Sequence, residues 1–222
     1  MRIHLHTTPN QEIVPFDYQQ RLSGVFYTWL GDKSEEHGRM SLYSYSWLKR
    51  GRMTEGGYEF PDGATWFISF YKEDTLKKLI RRILDRPQMF NGLTVCDMTI
   101  EDTPSLAERS LFYLGSPVYI QKHTPDLQNI TQYTFEDIDA DEMLTKTLLR
   151  KMELAGMQKD ETLRIMFDRS YLKKKTKMVS YKGIYLRSSI CPVIIEGKHE
   201  SKLFAWNVGI GNSTGIGFGS IY

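Results

Sequence analysis

The chain has 222 residues, of which 41% are hydrophobic and 25% are charged, and Lys and Arg exceed Asp and Glu only by 29 to 27. This length and composition are typical of one large or two small globular domains and exclude a peptide, a fibre and a disordered linker. No run reaches the roughly 18 to 20 apolar residues of a membrane span, and the first residues do not resemble a signal peptide. The two cysteines, Cys96 and Cys191, match no disulfide or zinc pattern. We therefore expect a cytoplasmic protein without a membrane partner.

The first hundred residues carry the apolar spacings of four strands and two helices in the order β-α-β-β-α-β, which is that of a ferredoxin-like domain. Asp17 is the expected N-cap of the first helix, and Gly31 is its expected stop. In chain order, the predicted elements are strand 1–8, helix 17–30, strand 41–50 with two distinct faces, a turn-rich hairpin at 56–63, strand 65–71, helix 73–86 ending before Pro87, and strand 93–100.

The rest of the chain repeats this order more loosely. The predicted elements are strand 116–123, helix 139–156, strand 163–168, β structure at 178–187 and 189–197, a short helix 199–209 and a closing strand 217–222. The apolar residues of segment 199–209 suit a strand nearly as well as a helix. We predict an α+β fold of two tandem ferredoxin-like (β-α-β-β-α-β, RRM-like) domains, 1–104 and 114–222, joined near residues 101 to 115.

Glycines are concentrated near the C-terminus, where five of the seventeen fall at positions 209, 211, 215, 217 and 219. Glycine permits positive φ and lets backbone N–H groups approach a phosphate closely, so this glycine run is a candidate anion site. It matches neither a dinucleotide fingerprint, which leads into a helix, nor a Walker loop, which ends in Gly-Lys-Ser or Gly-Lys-Thr. Close packing of a glycine-rich strand against a neighbour is an equally consistent interpretation.

A second feature is a basic segment, residues 169–187, which contains no acidic residue and three tyrosines. Its cations are Arg169, Lys173, Lys174, Lys175, Lys177, Lys182 and Arg187. Positive side chains interleaved with aromatic rings suit single-stranded nucleic acid, because the charges follow the phosphates while the rings stack on bases. The alternative is a solvated hairpin. Because the net charge is only +2, such local clusters must hold any anionic partner.

Among the five histidines, His37 stands in a polar segment close in sequence to Lys33 and Arg39. There an imidazole could meet a phosphate and still reach solvent. An exposed loop histidine without a function is the alternative.

The combined pattern resembles the CRISPR-associated endoribonuclease family that cuts repeat RNA into guide RNAs, Cas protein six of the repeat-associated mysterious protein superfamily. The family's C-terminal loop, glycine-hydrophobic-glycine, five residues, glycine-hydrophobic-glycine, is reproduced by residues 209–211, 212–216 and 217–219. Residues 21–27 look like the family's first-helix pattern. His37 followed by residues 42–46 looks like its catalytic histidine before the second strand. The resemblance spans nearly the whole chain, although residues 100–160 match only in topology.

This resemblance implies Tyr27 and His37 as catalytic residues. Ser41 stands about where the family often has a lysine, so Arg39, Lys49 or Arg50 would have to supply that positive charge. The implied reaction needs no metal or other cofactor, because the ribose 2′-hydroxyl of RNA is itself the nucleophile. Its products would carry a 2′,3′-cyclic phosphate and a 5′-hydroxyl.

The implied partners are CRISPR repeat RNA and guide RNA, with other Cas proteins of a surveillance complex and a homodimer as further expectations. The residues expected to hold RNA are Lys173, Lys174, Lys175, Lys177, Arg187, Gly209, Gly211, Gly217 and Gly219. Two alternatives are a repeat-RNA-binding protein of the same fold that does not cut, and a nucleotide-binding enzyme that uses the glycine run.

Overall fold

The structure is a computed structural model that describes residues 1–31, 40–123 and 130–222. Its helices are α1 (Gln19–Leu30), α2 (Glu73–Asp85), α3 (Ala140–Leu154) and α4 (His199–Val208). The strands of the N-terminal half are β1 (Arg2–Thr7), β2 (Val14–Pro15), β3 (Tyr43–Tyr45), β4 (Arg52–Thr54), β5 (Gly57–Glu59), β6 (Thr65–Phe70) and β7 (Val95–Glu101). Those of the C-terminal half are β8 (Leu111–Phe112), β9 (Val118–His123), β10 (Ile130–Tyr133), β11 (Arg164–Phe167), β12 (Lys175–Tyr181), β13 (Ile184–Ile190) and β14 (Val193–Glu196).

The N-terminal half forms a four-stranded antiparallel sheet in the order β3-β6-β1-β7. Leu5 of β1 lies opposite Trp66 of β6 on one side and Met98 of β7 on the other. The apolar stripes of α1 and α2 pack with this sheet into one core, which includes Leu22 and Leu79. The α+β fold with two ferredoxin-like halves is confirmed, and this half also contains a three-stranded sheet in the order β2-β5-β4. Across the described ranges, no helix has the length and apolar composition of a membrane span.

The C-terminal half is divided into two sheets, ordered β10-β9-β13-β12 and β11-β14-β8. Pro192 lies between β13 and β14 and cannot donate a backbone hydrogen bond, so the sheet is interrupted at this point. A separate core includes Leu144, Leu148 and Trp206, and also takes in Leu106 from the connecting segment. The domain limits at 104 and 114 stay a prediction.

Two predicted details in the N-terminal half are wrong. Asp17 is not the N-cap of α1, because Tyr18 occupies that position and no side chain caps the helix. The predicted strand 41–50 shortens to β3, and β3 is buried on both faces. Tyr45 stacks on Phe26 of α1, whereas the Ser44 hydroxyl on the opposite face donates to the Asn207 carbonyl of the C-terminal half. Both faces are covered because the two halves meet at this edge of the sheet.

Segment 199–208 is a helix, as the helical interpretation predicted. The predicted closing strand 217–222, in contrast, is wrong: Ile221 makes only an isolated bridge to Leu114. Gly217 and Gly219 have φ of +88° and +65°, which is left-handed rather than extended backbone. A residue with a side chain would be strained in this backbone conformation, which is also not that of a regular strand.

The glycine run, residues 209–219, packs between the two halves. Its backbone pairs with the C-terminal half, since Asn212 N donates to Tyr119 O at 2.8 Å. It also receives a hydrogen bond from the N-terminal half, since Trp47 Nε1 donates to Gly217 O at 2.7 Å. A Cβ at Gly217 would lie 2.7 Å from the Tyr45 ring, and one at Gly211 would lie 2.5 Å from the Tyr119 carbonyl oxygen. Close packing, rather than an open loop, therefore accounts for these glycines.

Two buried cations, Arg2 and Lys151, contact the C-terminal residues that pack between the two halves. Arg2 lies between the rings of Phe67 and Trp206, with its guanidinium 4.1 and 3.7 Å from their centroids. It donates to the carbonyls of Trp206 and Ile221, at 2.9 and 2.7 Å. Lys151 of α3 is 2% exposed. These contacts join β1 and α3 to the last twenty residues of the chain.

The Lys151 ammonium donates to Thr214 Oγ1 at 3.0 Å, to Val208 O at 3.3 Å and to Gly209 O at 3.5 Å. All three acceptors are uncharged, and burial lowers the pKa of Lys151 to about 7. The carbonyls at 208 and 209 belong to the C-terminal end of α4, where positive charge is favourable.

Replacing Lys151 with Met is expected to make the difference in stability from the wild type depend on pH. The pKa of a lysine in the unfolded chain is about 10.4, so between about pH 7 and pH 10 the unfolded wild type binds more protons than the folded protein. The free energy of unfolding of the wild type therefore rises with pH relative to Lys151→Met. Urea unfolding at pH 7 and pH 9.5 measures this difference. Lys146→Met, on the exposed side of α3, is the matched control, and a constant or reversed difference would contradict the burial of a titrating ammonium.

Candidate functional site

Of the three predicted catalytic residues, Tyr27 lies within the described part of the chain. His37 and Arg39 fall in residues 32–39, outside the described residues. The candidate site is therefore built around Tyr27 and the residues that contact it.

Tyr27 projects from α1 onto the glycine run. Its hydroxyl donates to Gly215 O at 3.1 Å, and Ser23, one helical turn earlier, directs its hydroxyl to Ile216 O at 3.3 Å. The i, i+4 spacing places these two side chains on the same face of α1. Burial raises the pKa of Tyr27, although a hydrogen bond with Tyr43 opposes this shift. The phenol therefore stays protonated at neutral pH.

Ser41, which replaces the family's lysine, lies against the same part of the glycine run. A Cβ at Gly215 would collide with the Ser41 hydroxyl and would lie 3.1 Å from the Tyr43 hydroxyl. The ammonium of Lys49, one candidate to replace that lysine, lies 3.8 Å from the centroid of the Tyr222 ring. Arg50 occupies a left-handed turn position with φ of +71°. Neither Lys49 nor Arg50 is among the side chains nearest to Gly215, which are those of Ser41 and Tyr43.

The backbone amides of the glycine run are largely used within the protein. Gly209 N donates to Ala205 O at 2.8 Å, Gly217 N to Thr214 O at 3.2 Å and Gly219 N to Pro117 O at 2.8 Å. Packing within the protein has therefore already satisfied these three amides. RNA contact by the glycine run stays a prediction. Its partly exposed residues are Asn212, Ser213 and Ile216.

Most of the basic segment is the β12–β13 hairpin, whose turn residues Lys182 and Gly183 both have positive φ. Alternate residues of a strand point to opposite faces. The face with Lys175 and Lys177 turns toward the N-terminal half, where the Lys177 ammonium lies 5.3 Å from the centroid of the Trp47 ring. Val179, on that face, packs in a cluster with Phe218. We call this surface the Trp47 face of the hairpin.

The other predicted cations are placed differently. Arg187, on the opposite face, pairs with Glu136 at 2.8 Å. Arg169 pairs with Asp141 at 2.6 Å and also donates to Phe135 O, which is a structural contact. Lys174 donates to Tyr171 O, and Lys173 is exposed. The cations of the basic segment, which are neighbours in the sequence, therefore lie on different surfaces of the structure.

Sequence reasoning missed three cations that line a pocket of about 750 Å³ beside Ser41, namely Lys72, Arg150 and Lys151. Lys72 and Arg150 carry no sequence signal, because both are ordinary exposed cations at helix ends. Lys151 does carry one, since Leu144, Leu148 and Lys151 have the i, i+4, i+7 spacing of a single buried helix face. A lysine on an apolar stripe is the pattern that would have singled it out.

Comparison with known proteins was made against families, curated proteins and solved structures. A family model described as CRISPR associated protein Cas6, C-terminal, matches residues 101–222. The CRISPR-associated endoribonuclease-like protein Cas6 of Pyrococcus furiosus is 24% identical over 243 residues, which cover 100% of this chain and 98% of that protein. The endoribonuclease-like protein Cas6nc of Pyrococcus horikoshii is 22% identical over 241 residues, with the same coverage.

A solved structure described as an RAMP protein binding different RNA substrates has 21% sequence identity and a TM-score of 0.85, and the match covers 100% of this chain and 98% of that one. At this identity the likeness is one of fold. The family match is independent of it and extends over more than half of the 222 residues, including α3, the hairpin and the glycine run. The chain therefore belongs to the CRISPR-associated protein Cas6 family.

Proposed function

We propose that this protein is a metal-independent endoribonuclease that cleaves CRISPR repeat RNA into guide RNAs. The observation that carries the proposal is the contact between the Tyr27 hydroxyl and Gly215 O, at 3.1 Å. It supports the proposal because the resemblance matches Tyr27 to the family's catalytic tyrosine and residues 209–219 to the family's glycine loop. The guide RNA and other Cas proteins are the proposed partners.

The proposed reaction uses the chemistry of RNA itself. The ribose 2′-hydroxyl attacks the neighbouring phosphorus in line, one protein group accepts its proton, and another gives a proton to the leaving 5′-oxygen. We assign proton transfer to His37, because an unperturbed imidazole has a pKa near 6.5 and serves as acid or base at neutral pH.

Tyr27 is proposed to act as a donor, with its one hydroxyl proton turning from Gly215 O to the RNA when the RNA binds. The raised pKa of Tyr27 keeps the phenol protonated, so it would orient the 2′-hydroxyl or a phosphate oxygen rather than remove a proton. The RNA would then pass over the Trp47 face of the hairpin, where Lys175 and Lys177 would contact phosphates and Trp47 would offer an aromatic ring.

A non-cleaving RNA-binding protein of the same fold is the second candidate. The observation that favours it is Ser41, whose hydroxyl lies against Gly215 where the family's pattern often has a lysine. A serine cannot supply the positive charge that would stabilise the pentavalent phosphorane. This candidate retains RNA binding but predicts no cleavage.

Incubation of the purified protein with repeat RNA in EDTA distinguishes the two candidates. We expect cleavage to persist, because no step requires a metal, and the products to carry a 2′,3′-cyclic phosphate and a 5′-hydroxyl. RNA with a 2′-deoxy nucleotide before the cut is expected to bind without being cleaved, because the nucleophile is absent. Mass analysis of the termini is the measurement. Binding of the unmodified RNA without any product would favour the non-cleaving alternative.

Two substitutions test the assigned proton-transfer groups. His37→Ala is expected to lower the single-turnover cleavage rate by roughly 10² to 10⁴, which is the usual contribution of general acid-base catalysis, with nearly unchanged RNA affinity. Tyr27→Phe is expected to lower the rate less, because it removes one hydrogen bond to the reacting groups. His4→Ala is the matched control, since His4 instead contacts Glu101. Normal cleavage by His37→Ala would refute the assignment.

The two faces of the hairpin are expected to differ in RNA binding. Lys177→Ala removes from the Trp47 face a cation that has no carboxylate partner among the described residues, and it is expected to raise the Kd for 2′-deoxy repeat RNA and to reduce its salt dependence. Arg187→Ala removes the same charge from the opposite face, where Glu136 already neutralises it, and is expected to have a smaller effect. Fluorescence anisotropy at several salt concentrations measures both. An equal rise in Kd for the two variants would show that RNA binding depends on the total charge of the hairpin and not on which face carries it.

A further inference from the structure

The pocket beside Ser41 is formed by both halves of the chain and one side of the glycine run. Residues 40–42 and Lys72 come from the N-terminal half, Arg150 and Lys151 come from α3, and residues 211–214 close it. Three of the described lining residues are cations, and none of those described is Asp or Glu. The described lining of this pocket thus contains cations and no anion, although the whole chain carries only +2.

The three cations are not equivalent. Lys151 forms the buried floor, where its ammonium is already bonded to Thr214 Oγ1 and to two carbonyls. Lys72 and Arg150 are exposed at the rim, and within the described ranges neither forms an ion pair. Other helix cations do have carboxylate partners, as Lys146 has Glu142 on the same helix α3. The rim therefore holds two positive groups that are available to an anion.

The pocket adjoins the candidate catalytic contact. Ser41 lines the pocket and also lies against Gly215, whose carbonyl accepts the hydrogen bond from Tyr27. An anion at the rim would therefore sit next to the site where the proposed reaction takes place. A polyanion that passes through that site would bring its neighbouring phosphate here.

We infer that this pocket is a phosphodiester-binding subsite, in which Lys72 and Arg150 hold an RNA phosphate next to the cleaved one. The inference rests on the proposed function. Arg150 presents a planar guanidinium that binds two phosphate oxygens at once, and Lys72 adds a point charge from the facing half. The charge of Lys72 and Arg150 would therefore act on the neighbouring phosphate, not on the phosphorane at the cleaved one. Lys151 is a positioning residue, because it holds the wall formed by residues 208–214.

The test compares two double variants that each remove one exposed lysine and one exposed arginine. Lys72→Ala with Arg150→Ala removes the rim cations. Lys78→Ala with Arg81→Ala removes two cations of α2 that do not line this pocket and that form no ion pair within the described ranges. The Kd for repeat RNA with a 2′-deoxy nucleotide at the cut is measured by anisotropy over a series of salt concentrations. Circular dichroism and the thermal unfolding midpoint check that both variants fold.

For the rim variant, we expect the slope of log Kd against log salt to fall by about 0.7, because the two rim cations hold one phosphate and each phosphate contact with single-stranded RNA contributes about 0.7. We also expect the Kd at low salt to rise by about tenfold or more. The control variant should keep a slope close to that of the wild type. A methylphosphonate scan of the RNA adds a second readout: neutralising the bound phosphate should weaken the wild type but not weaken the rim variant further.

The outcomes separate the two proposals. If the wild type binds and cleaves repeat RNA but both double variants have the same slope, the pocket inference is overturned and the proposed function stands. If no single phosphate loses its effect in the rim variant, the inference is also overturned. If the wild type does not bind repeat RNA, the proposed function itself fails. Saturable binding of inorganic phosphate or a mononucleotide, with RNA binding unaffected by the rim variant, would assign the pocket to a small anion instead.

Discussion

The packing of the glycine run between the two halves is the constraint on which the rest of the structure depends. At Gly217 a side chain would meet the Tyr45 ring, at Gly211 the Tyr119 carbonyl, and at Gly219 it would collide with the Ile210 carbonyl oxygen. Positive φ at all three positions adds backbone strain for any other residue. Because the run contacts α1, β3, α3 and β9 together, it sets how the two halves face each other. The Tyr27 contact, the position of Ser41 and the wall of the pocket all follow from this arrangement.

Positive charge is divided among three roles. Arg2 and Lys151 are buried, and each uses its donors on carbonyl or hydroxyl oxygens near the C-terminal end of α4. Arg169 and Arg187 pair with carboxylates on the surface. Lys72, Lys175 and Arg150 remain exposed to solvent. A chain that is almost neutral overall can therefore present positive surfaces only where a cation lacks a nearby carboxylate, and this property depends on the three-dimensional neighbours of each residue.

Sequence patterns were sufficient to predict the helices and strands whose apolar residues are regularly spaced. The stripe of Leu76, Leu79 and Ile83 in α2 and the alternation in β1 predicted structures that are present with nearly the expected limits. The pattern failed where a second surface covers an element. Ser44 alternates with tyrosines as though it faced water, yet it is buried because Asn207 of the other half lies over it. Arg2 is buried for the same reason. Periodicity reports that two faces differ, but it does not report what covers each face.

The sequence by itself determined the order of elements, the glycine spacing and the resemblance that identified Tyr27, since these depend on local spacing along the chain. Only the tertiary structure decided that the glycine amides are satisfied by protein carbonyls, that the basic hairpin has one face toward Trp47, and that Lys72 and Arg150 share a pocket. Each of these facts joins residues distant in sequence. Such contacts arise from how the two halves pack, and no local pattern of residue types encodes that packing.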